Sequence, residues 1–172
     1  MANRLGQFRA IMQIHSRVLI TGNAGSGKTW LGERLAARLG VPLFHLDDVV
    51  WDGAYGGKER AKPYAEAERL AAADNWVIEG VYGWLVPAAL PRDTAFLFID
   101  LPVDECIANL RARGQQGGGD AAAFDKMLEW VAGYPQRTNA NSRATHERLF
   151  AEFGGTKHRL TGRAEIADYL HP

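Results

Sequence analysis

Eight residues, GNAGSGKT from Gly22 to Thr29, constrain this chain more than any other stretch of its 172 residues. They match the pattern G-x-x-x-x-G-K-[ST] of a phosphate-binding loop at every specified position. Residues 17–21 (RVLIT) are typical of a short buried strand, and residues 30–39 carry leucines four apart, as an amphipathic helix does. Strand, glycine-rich loop and helix therefore follow one another in the order that such a loop requires.

The residue types of this loop indicate a site for a nucleoside triphosphate. Gly22, Gly25 and Gly27 allow a tight turn that exposes successive backbone N–H groups to an anion. The helix that follows directs its positive dipole end to the same place. We expect Lys28 to reach the β- and γ-phosphates and to act in catalysis, and the Thr29 hydroxyl to ligate Mg²⁺.

A glycine-rich turn that merely caps a helix is the alternative interpretation of the loop. It is disfavoured because a cap needs neither Lys28 nor Thr29 at those places. The candidate nucleotide-binding residues are the loop and the residue after it: Gly22, Asn23, Ala24, Gly25, Ser26, Gly27, Lys28, Thr29 and Trp30.

Composition and charge are those of an ordinary soluble domain. Lys and Arg together number 20, as do Asp and Glu, so the net charge is zero and does not draw the chain to nucleic acid or to an anionic membrane. No apolar run approaches the ~18 residues of a membrane span. The single cysteine, Cys106, suits a reducing cytoplasm. We expect a flexible N-terminal arm over residues 1–16 and one domain over residues 17–172, which acts as a monomer or a homodimer.

Short apolar segments alternate with helical segments along the rest of the chain. Four further strands are predicted at residues 43–46, 76–78, 95–99 and 157–160. This alternation predicts a parallel sheet with helices on both faces. Ligands of such sheets bind beyond the carboxyl ends of the strands, so the acidic residues that follow the strands should share one rim with the loop.

Four acidic residues on this rim are candidates for a role. A carboxylate at Asp47 or Asp48 could face Mg²⁺ or accept a proton from an acceptor hydroxyl, and the alternative is a surface turn or helix cap. Because side chains alternate along a strand, we favour Asp47 over Asp48. Glu79 is a candidate for holding a Mg²⁺-bound water or the acceptor, and the alternative is a buried carboxylate satisfied by backbone N–H groups. Asp100 is expected to cap the helix that begins at Pro102.

Arginines flank a second glycine-rich segment, GQQGGGD at residues 114–120. Glycines absorb the dihedral changes of a closing lid, and guanidinium groups carried inward neutralise charge on a transferring phosphoryl group. We therefore expect a lid near residues 111–137, with Arg111 and Arg137 as candidate catalytic residues. The alternative is that these arginines are solvated or paired with neighbours. Tyr82 and Trp84 either stack an acceptor ring or pack the rim.

With these residues in view, the chain resembles the adenylate-kinase-like P-loop kinases, and within them the small bacterial DNA topology modulation proteins. The matching segments are GNAGSGKT, HLD (45–47), WVIEGVY (76–82), FIDLP (98–102) and RARG (111–114). The resemblance implies a three-layer α/β fold with a five-stranded parallel sheet in the order 2-3-1-4-5, Mg-ATP as donor and a short lid. It also implies that the loop carrying Arg163 lies beside the adenine.

We interpret the chain as a cytoplasmic, Mg²⁺-dependent kinase that moves the γ-phosphoryl group of ATP to a small-molecule or nucleotide acceptor. Thr29, Asp47 and Glu79 are the candidate metal ligands. The alternative is an NTP-dependent regulatory or nucleic-acid-associated protein, which the neutral charge and the absence of a basic, aromatic stripe disfavour. A signalling GTPase would need an N-K-x-D segment and a transport ATPase an LSGGQ-like one, and the sequence has neither.

Overall fold

One sheet organises the protein. The computed structural model describes residues 17–51, 60–90, 94–114 and 120–170. Its strands are β1 (Arg17–Gly22), β2 (Leu43–His45), β3 (Trp76–Gly80), β4 (Ala95–Ile99) and β5 (Lys157–Leu160). All pairings are parallel, and the spatial order β2-β3-β1-β4-β5 confirms the predicted 2-3-1-4-5 sheet. The central strands are apolar and buried along nearly their whole length, as strands covered on both faces must be.

Helices cover both faces of this sheet and complete three layers. Within the described residues they are α1 (Lys28–Leu39), α2 (Leu46–Trp51), α3 (Ala61–Ala71), α4 (Val86–Ala89), α5 (Val103–Arg113), α6 (Ala121–Ala132), α7 (Arg143–Glu152) and α8 (Arg163–Asp168). One core cluster joins the sheet to α1, α5, α6 and α8. The other joins the opposite face to α2, α3, α4 and α7. Alternation along β1 divides its residues between the two, with Val18 and Ile20 in the first cluster and Leu19 in the second.

The second strand is shorter than the sequence predicts. β2 ends at His45, and Leu46 is already the first residue of α2, so Asp47 and Asp48 lie in the first turn of a helix. The prediction that strand alternation separates these two carboxylates was therefore wrong. The helix starts early because Leu46 packs over Gly80 in the core, where a Cβ on Gly80 would stand 2.7 Å from Leu46 Cβ. Acidic side chains in a first turn also face the positive end of the helix dipole.

Parts of the predicted organisation lie outside the described residues. These are the N-terminal arm over residues 1–16 and residues 115–119 of the glycine-rich segment. Downstream of that segment, α6 is anchored in the core, because Val131 is fully buried and Tyr134 nearly so. None of the described helices is long and apolar enough to cross a membrane.

Candidate active site

The loop between β1 and α1 has the backbone conformation of an anion-binding turn. Gly25 and Gly27 have φ values of 76° and 95°, which only glycine adopts without steric penalty. Gly25 packs on α5, since a Cβ there would stand 2.4 Å from the carbonyl oxygen of Cys106. Gly27 caps α1, and a Cβ there would meet no atom within 4 Å. The loop is thus fixed on its inner side and open at the N-terminus of the helix, where backbone N–H groups bind anions.

Lys28, the first residue of α1, folds back across this loop. Its side chain is buried, and its Nζ donates a hydrogen bond of 2.8 Å to the carbonyl oxygen of Asn23. Burial lowers the pKa of Lys28, and the negative charges of Glu79 and Asp47 act in the opposite direction. A buried ammonium group is stabilised when it gains an anionic partner. The position of Lys28 is therefore suited to a phosphate held in the loop.

Asn23 and Ser26 show how the rest of the loop is held. Asn23 Nδ2 donates to the carbonyl oxygen of Val131 at 3.1 Å, and its Oδ1 accepts the N–H of Ala24 at 3.0 Å. These bonds tie the loop to the end of α6. The buried hydroxyl of Ser26 has no hydrogen-bond partner among the described residues. An orphaned buried hydroxyl costs roughly 1–3 kcal/mol, which a bound phosphate oxygen would offset.

Thr29, Glu79 and His45 form a hydrogen-bonded chain beside the loop. The Thr29 hydroxyl donates to Oε1 of Glu79 at 3.1 Å, and His45 Nδ1 lies 2.7 Å from the same oxygen. Glu79 is only 2 % exposed, whereas Thr29 is exposed to the cavity above the loop. Because the Thr29 hydroxyl donates its hydrogen bond to Glu79, the lone pairs of the Thr29 oxygen are left for a ligand. Glu79 thus has side-chain partners, rather than the backbone N–H groups considered above.

These oxygens suit Mg²⁺ better than a softer metal. The described part of the chain contains no group of three or more His, Cys, Asp or Glu side chains that could hold a metal ion. Mg²⁺ does not need such a cage, because it commonly takes one or two protein oxygens and completes its shell with water and substrate phosphates. The Thr29 hydroxyl and a nearby carboxylate fit that requirement.

A cavity of about 700 Å³ opens over the loop. This volume lies within the range of about 300–1,000 Å³ that is typical of small-ligand sites. Trp30 stands at its edge with 41 % of its surface exposed, and the guanidinium group of Arg34 stacks on its ring at 4.0 Å. The wall is formed by the loop, α1, α5 and α8, through Gly25, Ser26, Gly27, Lys28, Thr29, Trp30, Glu33, Leu101, Asn109, Leu110, Arg113, Arg163, Ile166 and Ala167.

Arg163 is fixed in this wall by residues of α5. Its Nη2 donates to Oδ1 of Asn109 at 2.6 Å, and its Nε donates to Oε2 of Glu105 at 3.1 Å. Asn109 in turn donates from Nδ2 to the carbonyl oxygen of Gly25 at 2.8 Å. Sequence reasoning missed Asn109. Its only signal was its place four residues after Glu105 and four before Arg113, on one face of a helix.

Asp47 and Asp48 have different surroundings. The Tyr82 hydroxyl donates to Oδ1 of Asp47 at 2.8 Å, which joins the end of β3 to the first turn of α2. Asp48 instead lines a second cleft of about 730 Å³ between β2, α2 and α3. Tyr82 also meets Trp84 edge to face, with ring centroids 6.5 Å apart. The aromatic residues therefore pack on one another at the rim, and one of them holds Asp47.

Arg137 has an unusual environment. Its Nε, Nη1 and Nη2 are all buried and find no hydrogen-bond partner among the described residues. The guanidinium group lies over the rings of Trp130 at 3.6 Å and Tyr134 at 5.3 Å, and burial lowers its pKa. Stacking recovers part of the cost of burial but does not replace five N–H···O bonds. A planar cation with open donors suits an oxyanion such as a phosphoryl group.

The other arginines in and after α5 separate into two groups. Arg111 and Arg113 are both exposed in the last turn of α5, but only Arg113 contributes to the wall of the nucleotide cavity. Arg113 also helps to lower the pKa of Lys28, after the larger effect of burial. Arg143 and Arg148 make ion pairs with Glu147 at 3.2 Å and with Glu152 at 3.0 Å. The structure thus brings Arg113, rather than Arg111, towards Lys28.

Asp100 does not cap α5, whose N-cap residue is Pro102. Arg143 donates two hydrogen bonds of 2.9 Å to the Asp100 carboxylate, and Arg159 forms an ion pair with the same group. Burial favours the neutral carboxyl group, but the hydrogen bonds and charges of the two arginines outweigh this and lower the pKa of Asp100. The cap was the wrong expectation because Asp100 lies two residues before the N-cap and faces α7 and β5 instead.

His146 joins three elements beneath the rim. The Tyr134 hydroxyl lies 2.6 Å from His146 Nδ1, and His146 Nε2 lies 3.1 Å from the carbonyl oxygen of Val81. Because that carbonyl can only accept, Nε2 carries the proton and Nδ1 accepts from Tyr134. Burial lowers the pKa of His146 to about 4. This neutral histidine ties α7 to the segment that carries Arg137 and to the end of β3.

Solved structures of small kinases share this architecture. A shikimate kinase from Acinetobacter baumannii, solved with shikimate, matches with a TM-score of 0.56 and 13 % identity, over 94 % of this chain and 92 % of its own. A gluconokinase from Sinorhizobium meliloti matches with a TM-score of 0.51 and 18 % identity, over 90 % and 88 %. A sugar kinase from Janibacter gives 0.53 and 13 %, over 90 % and 89 %.

These matches establish the fold at identities too low to carry an activity across. The chain has a kinase-like P-loop fold. No protein-family model matches it, and neither does any curated protein.

Proposed function

We propose that this protein is an ATP-dependent phosphotransferase that moves the γ-phosphoryl group to a small-molecule or nucleotide acceptor. The observation that carries the proposal is the buried ammonium group of Lys28, folded over a left-handed glycine loop at the floor of a 700 Å³ cavity. The buried cation, the N-terminus of α1 and the buried Ser26 hydroxyl, which has no partner among the described residues, converge there. Burial of the cation and of the unpartnered hydroxyl costs free energy, which the phosphates of ATP would offset.

We assign the base of the nucleotide to the part of the same cavity that is lined by Trp30 and Arg163. Both residues line it, and Arg163 is hydrogen-bonded to Asn109 and Glu105. A planar guanidinium group and an indole ring both offer a flat face to a purine. We therefore assign Trp30 and Arg163 to the adenine and the loop to the phosphates.

Mg²⁺ would be held by Thr29, with Glu79 behind it and Asp47 as a further candidate ligand. When bound with ATP, the ion neutralises charge on the β- and γ-phosphate oxygens. The chain's own part is to keep the Thr29 hydroxyl pointed at the cavity, which the bond to Glu79 achieves.

Asp47 is the proposed proton acceptor for the acceptor hydroxyl. As the hydroxyl oxygen attacks the γ-phosphorus and the bond to ADP breaks, the hydroxyl proton passes to the Asp47 carboxylate. The Tyr82 bond of 2.8 Å holds this carboxylate in one orientation. Positioned proton acceptance of this kind is worth about 10²–10⁴-fold in rate.

Lys28, Arg113 and Arg137 are the proposed charge-neutralising groups. Lys28 lies in the loop, Arg113 in the cavity wall, and Arg137 six residues beyond the Val131 carbonyl that binds Asn23. Cations placed around a transferring phosphoryl group stabilise the charge that develops on it. Arg111, which does not line the cavity, is left as a candidate that depends on movement of the segment from 111 to 137.

The setting proposed for this activity is the cytoplasm, with the protein as a monomer or homodimer. The net charge of zero gives the chain no overall electrostatic attraction to nucleic acid. The HLD, WVIEGVY and FIDLP segments remain the grounds for placing the chain with the DNA topology modulation proteins.

A transfer screen tests the proposal directly. The purified protein is incubated with Mg²⁺ and γ-labelled ATP, together with nucleosides, nucleoside monophosphates, shikimate, gluconate and other small polyols. We expect label to pass to one class of acceptor and to be lost in Lys28→Ala. The proposal fails if the protein transfers no label to any acceptor and also does not bind ATP.

A further inference from the structure

We infer that His45 is a positioning residue that orients Glu79, and through it the Thr29 hydroxyl, for Mg²⁺ binding. The inference rests on the proposed function, because it assigns a role to a residue outside the nucleotide cavity. The observation behind it is the continuous chain from His45 to Glu79 to Thr29 at 2.7 and 3.1 Å.

The backbone places His45 and Glu79 side by side. His45 is the last residue of β2 and lies opposite Glu79 in the parallel pairing with β3. Neighbouring strands are about 4.8 Å apart, so two side chains on the same face at this register meet directly. A carboxylate accepts hydrogen bonds, so the Nδ1 atom of His45 carries the proton that it shares with Glu79.

Both donors converge on a single carboxylate oxygen. Thr29 Oγ1 and His45 Nδ1 each contact Oε1 of Glu79. Removal of the His45 donor would leave the buried carboxylate with the Thr29 hydroxyl alone on that oxygen. The carboxyl group could then rotate about its terminal bond, and the Thr29 proton would lose its fixed acceptor.

Packing limits the conformational freedom of the Glu79 side chain. Gly32 of α1 faces the Glu79 stem, and a Cβ there would stand 3.7 Å from Glu79 Cγ and 3.1 Å from Leu43 Cδ1. The stem of Glu79 is therefore enclosed between α1 and the sheet. The carboxyl group at its end is the part left to be fixed by hydrogen bonds, and His45 supplies the shorter of the two.

His45 acts from outside the nucleotide cavity. It lines the separate 730 Å³ cleft beside β2 and is absent from the wall of the cavity that holds Lys28 and Thr29. It therefore has no contact of its own with a nucleotide bound over the loop. Partners that orient a metal-binding group in this way typically affect metal affinity by about 10–100-fold.

The matched variants are His45→Leu, His45→Asn and His45→Gln. Leu fills similar space without a donor. The amide nitrogen of Asn lies at the same branch position as Nδ1 and can still donate to Glu79, whereas that of Gln lies one bond farther out. Glu66→Gln is the control, since Glu66 lines the same cleft but pairs with Arg69 at the surface.

The measurement is the Kd of ATP by calorimetry, first in EDTA and then across a Mg²⁺ titration. For His45→Leu and His45→Gln we expect an unchanged Kd in EDTA and a loss of Mg²⁺ affinity of about 10–100-fold. His45→Asn and Glu66→Gln should resemble the wild type. The Asn and Gln comparison decides the matter even if His45→Leu fails to fold.

If the wild type binds ATP, two results would overturn the inference. Equal Mg²⁺ affinity in His45→Gln and the wild type would show that His45 only fills space beside β2. Loss of ATP affinity in EDTA as well would show a general structural role. If the wild type bound no ATP at all, the proposed function itself would fall, and the inference with it.

Discussion

The hydroxyl group of Tyr82 holds the carboxylate of Asp47 at 2.8 Å, across the gap between β3 and α2. The two residues are 35 positions apart in the chain. Their contact gives Asp47 an orientation that its place in an exposed first helical turn would not provide. It also separates Asp47 from Asp48, which faces the cleft beside β2.

The first prediction concerns this pair. Asp47→Asn keeps the shape and removes the charge, so the transfer rate should fall by about 10²–10⁴-fold with little change in ATP affinity. Asp48→Asn should lower the transfer rate far less. Tyr82→Phe removes the hydrogen bond to the Asp47 carboxylate but leaves the carboxylate itself unchanged. The transfer rate of this variant should lie between those of Asp47→Asn and Asp48→Asn. Single-turnover transfer to the acceptor found in the screen is the measurement, and a greater loss in Asp48→Asn would show that the wrong carboxylate has been assigned.

The sequence predicted the loop and the sheet well because both depend on local patterns. The glycines, Lys28 and Thr29 act at fixed spacing within eight residues, and parallel strands bring their carboxyl ends to one rim whatever the helices do. The end of β2 was misjudged by one residue, since the packing of Leu46 over Gly80 is a long-range contact. The sequence did not predict the hydrogen bonds from Asn109 to Gly25 and from Tyr134 to His146 for the same reason. They depend on how helices cross, which periodicity does not specify.

A second prediction separates function from stability at Arg137. Arg137→Met keeps an apolar side chain over Trp130 but removes the buried guanidinium group. The nitrogen atoms of this group have no hydrogen-bond partner among the described residues. We expect transfer to slow by about 10²-fold or more, while the melting temperature stays the same or rises. Arg148→Met, at an exposed ion pair, is the control. A less stable variant with an unchanged rate would mean that Arg137 serves the packing of α6.

The third prediction is a pH dependence that originates at His146. Its pKa is about 4 in the folded protein against an ordinary value of 6.5, so between these values the unfolded chain binds a proton that the folded chain does not. The contribution of His146 to the free energy of unfolding should therefore be complete above about pH 7 and fall towards pH 4, by up to about 3 kcal/mol. Asp100 contributes separately and at lower pH, because its folded pKa lies below 3.8.

Urea unfolding at a series of pH values measures this dependence. His146→Gln should be less stable at pH 7, because it disturbs the bonds to Tyr134 and Val81. Its stability should nevertheless depend less on pH between 4 and 7. A slope equal to that of the wild type in this window would assign the acid sensitivity to other groups.

The fourth prediction compares two glycines of the loop. Gly25→Ala would force a Cβ to 2.4 Å from the Cys106 carbonyl oxygen, so we expect a clear loss of stability. Gly27→Ala strains the backbone but meets no atom within 4 Å, so its main effect should be on the N–H groups that face the cavity. Gly25→Ala should therefore have the lower melting temperature, and Gly27→Ala the weaker affinity for ATP. The same ranking in both assays would mean that the open side of Gly27 is not where phosphate binds.

The most direct measurement is the affinity for ATP of the wild type, Lys28→Ala and Lys126→Ala, by calorimetry in Mg²⁺. Lys126 is exposed on α6, so its variant controls for the loss of one positive charge. We predict saturable binding to the wild type and to Lys126→Ala. In a folded Lys28→Ala, the affinity should be about 10- to 100-fold weaker, the value of a hydrogen-bonded charge contact. Equal affinity in all three proteins, or no binding by the wild type, would contradict a phosphate site at this loop.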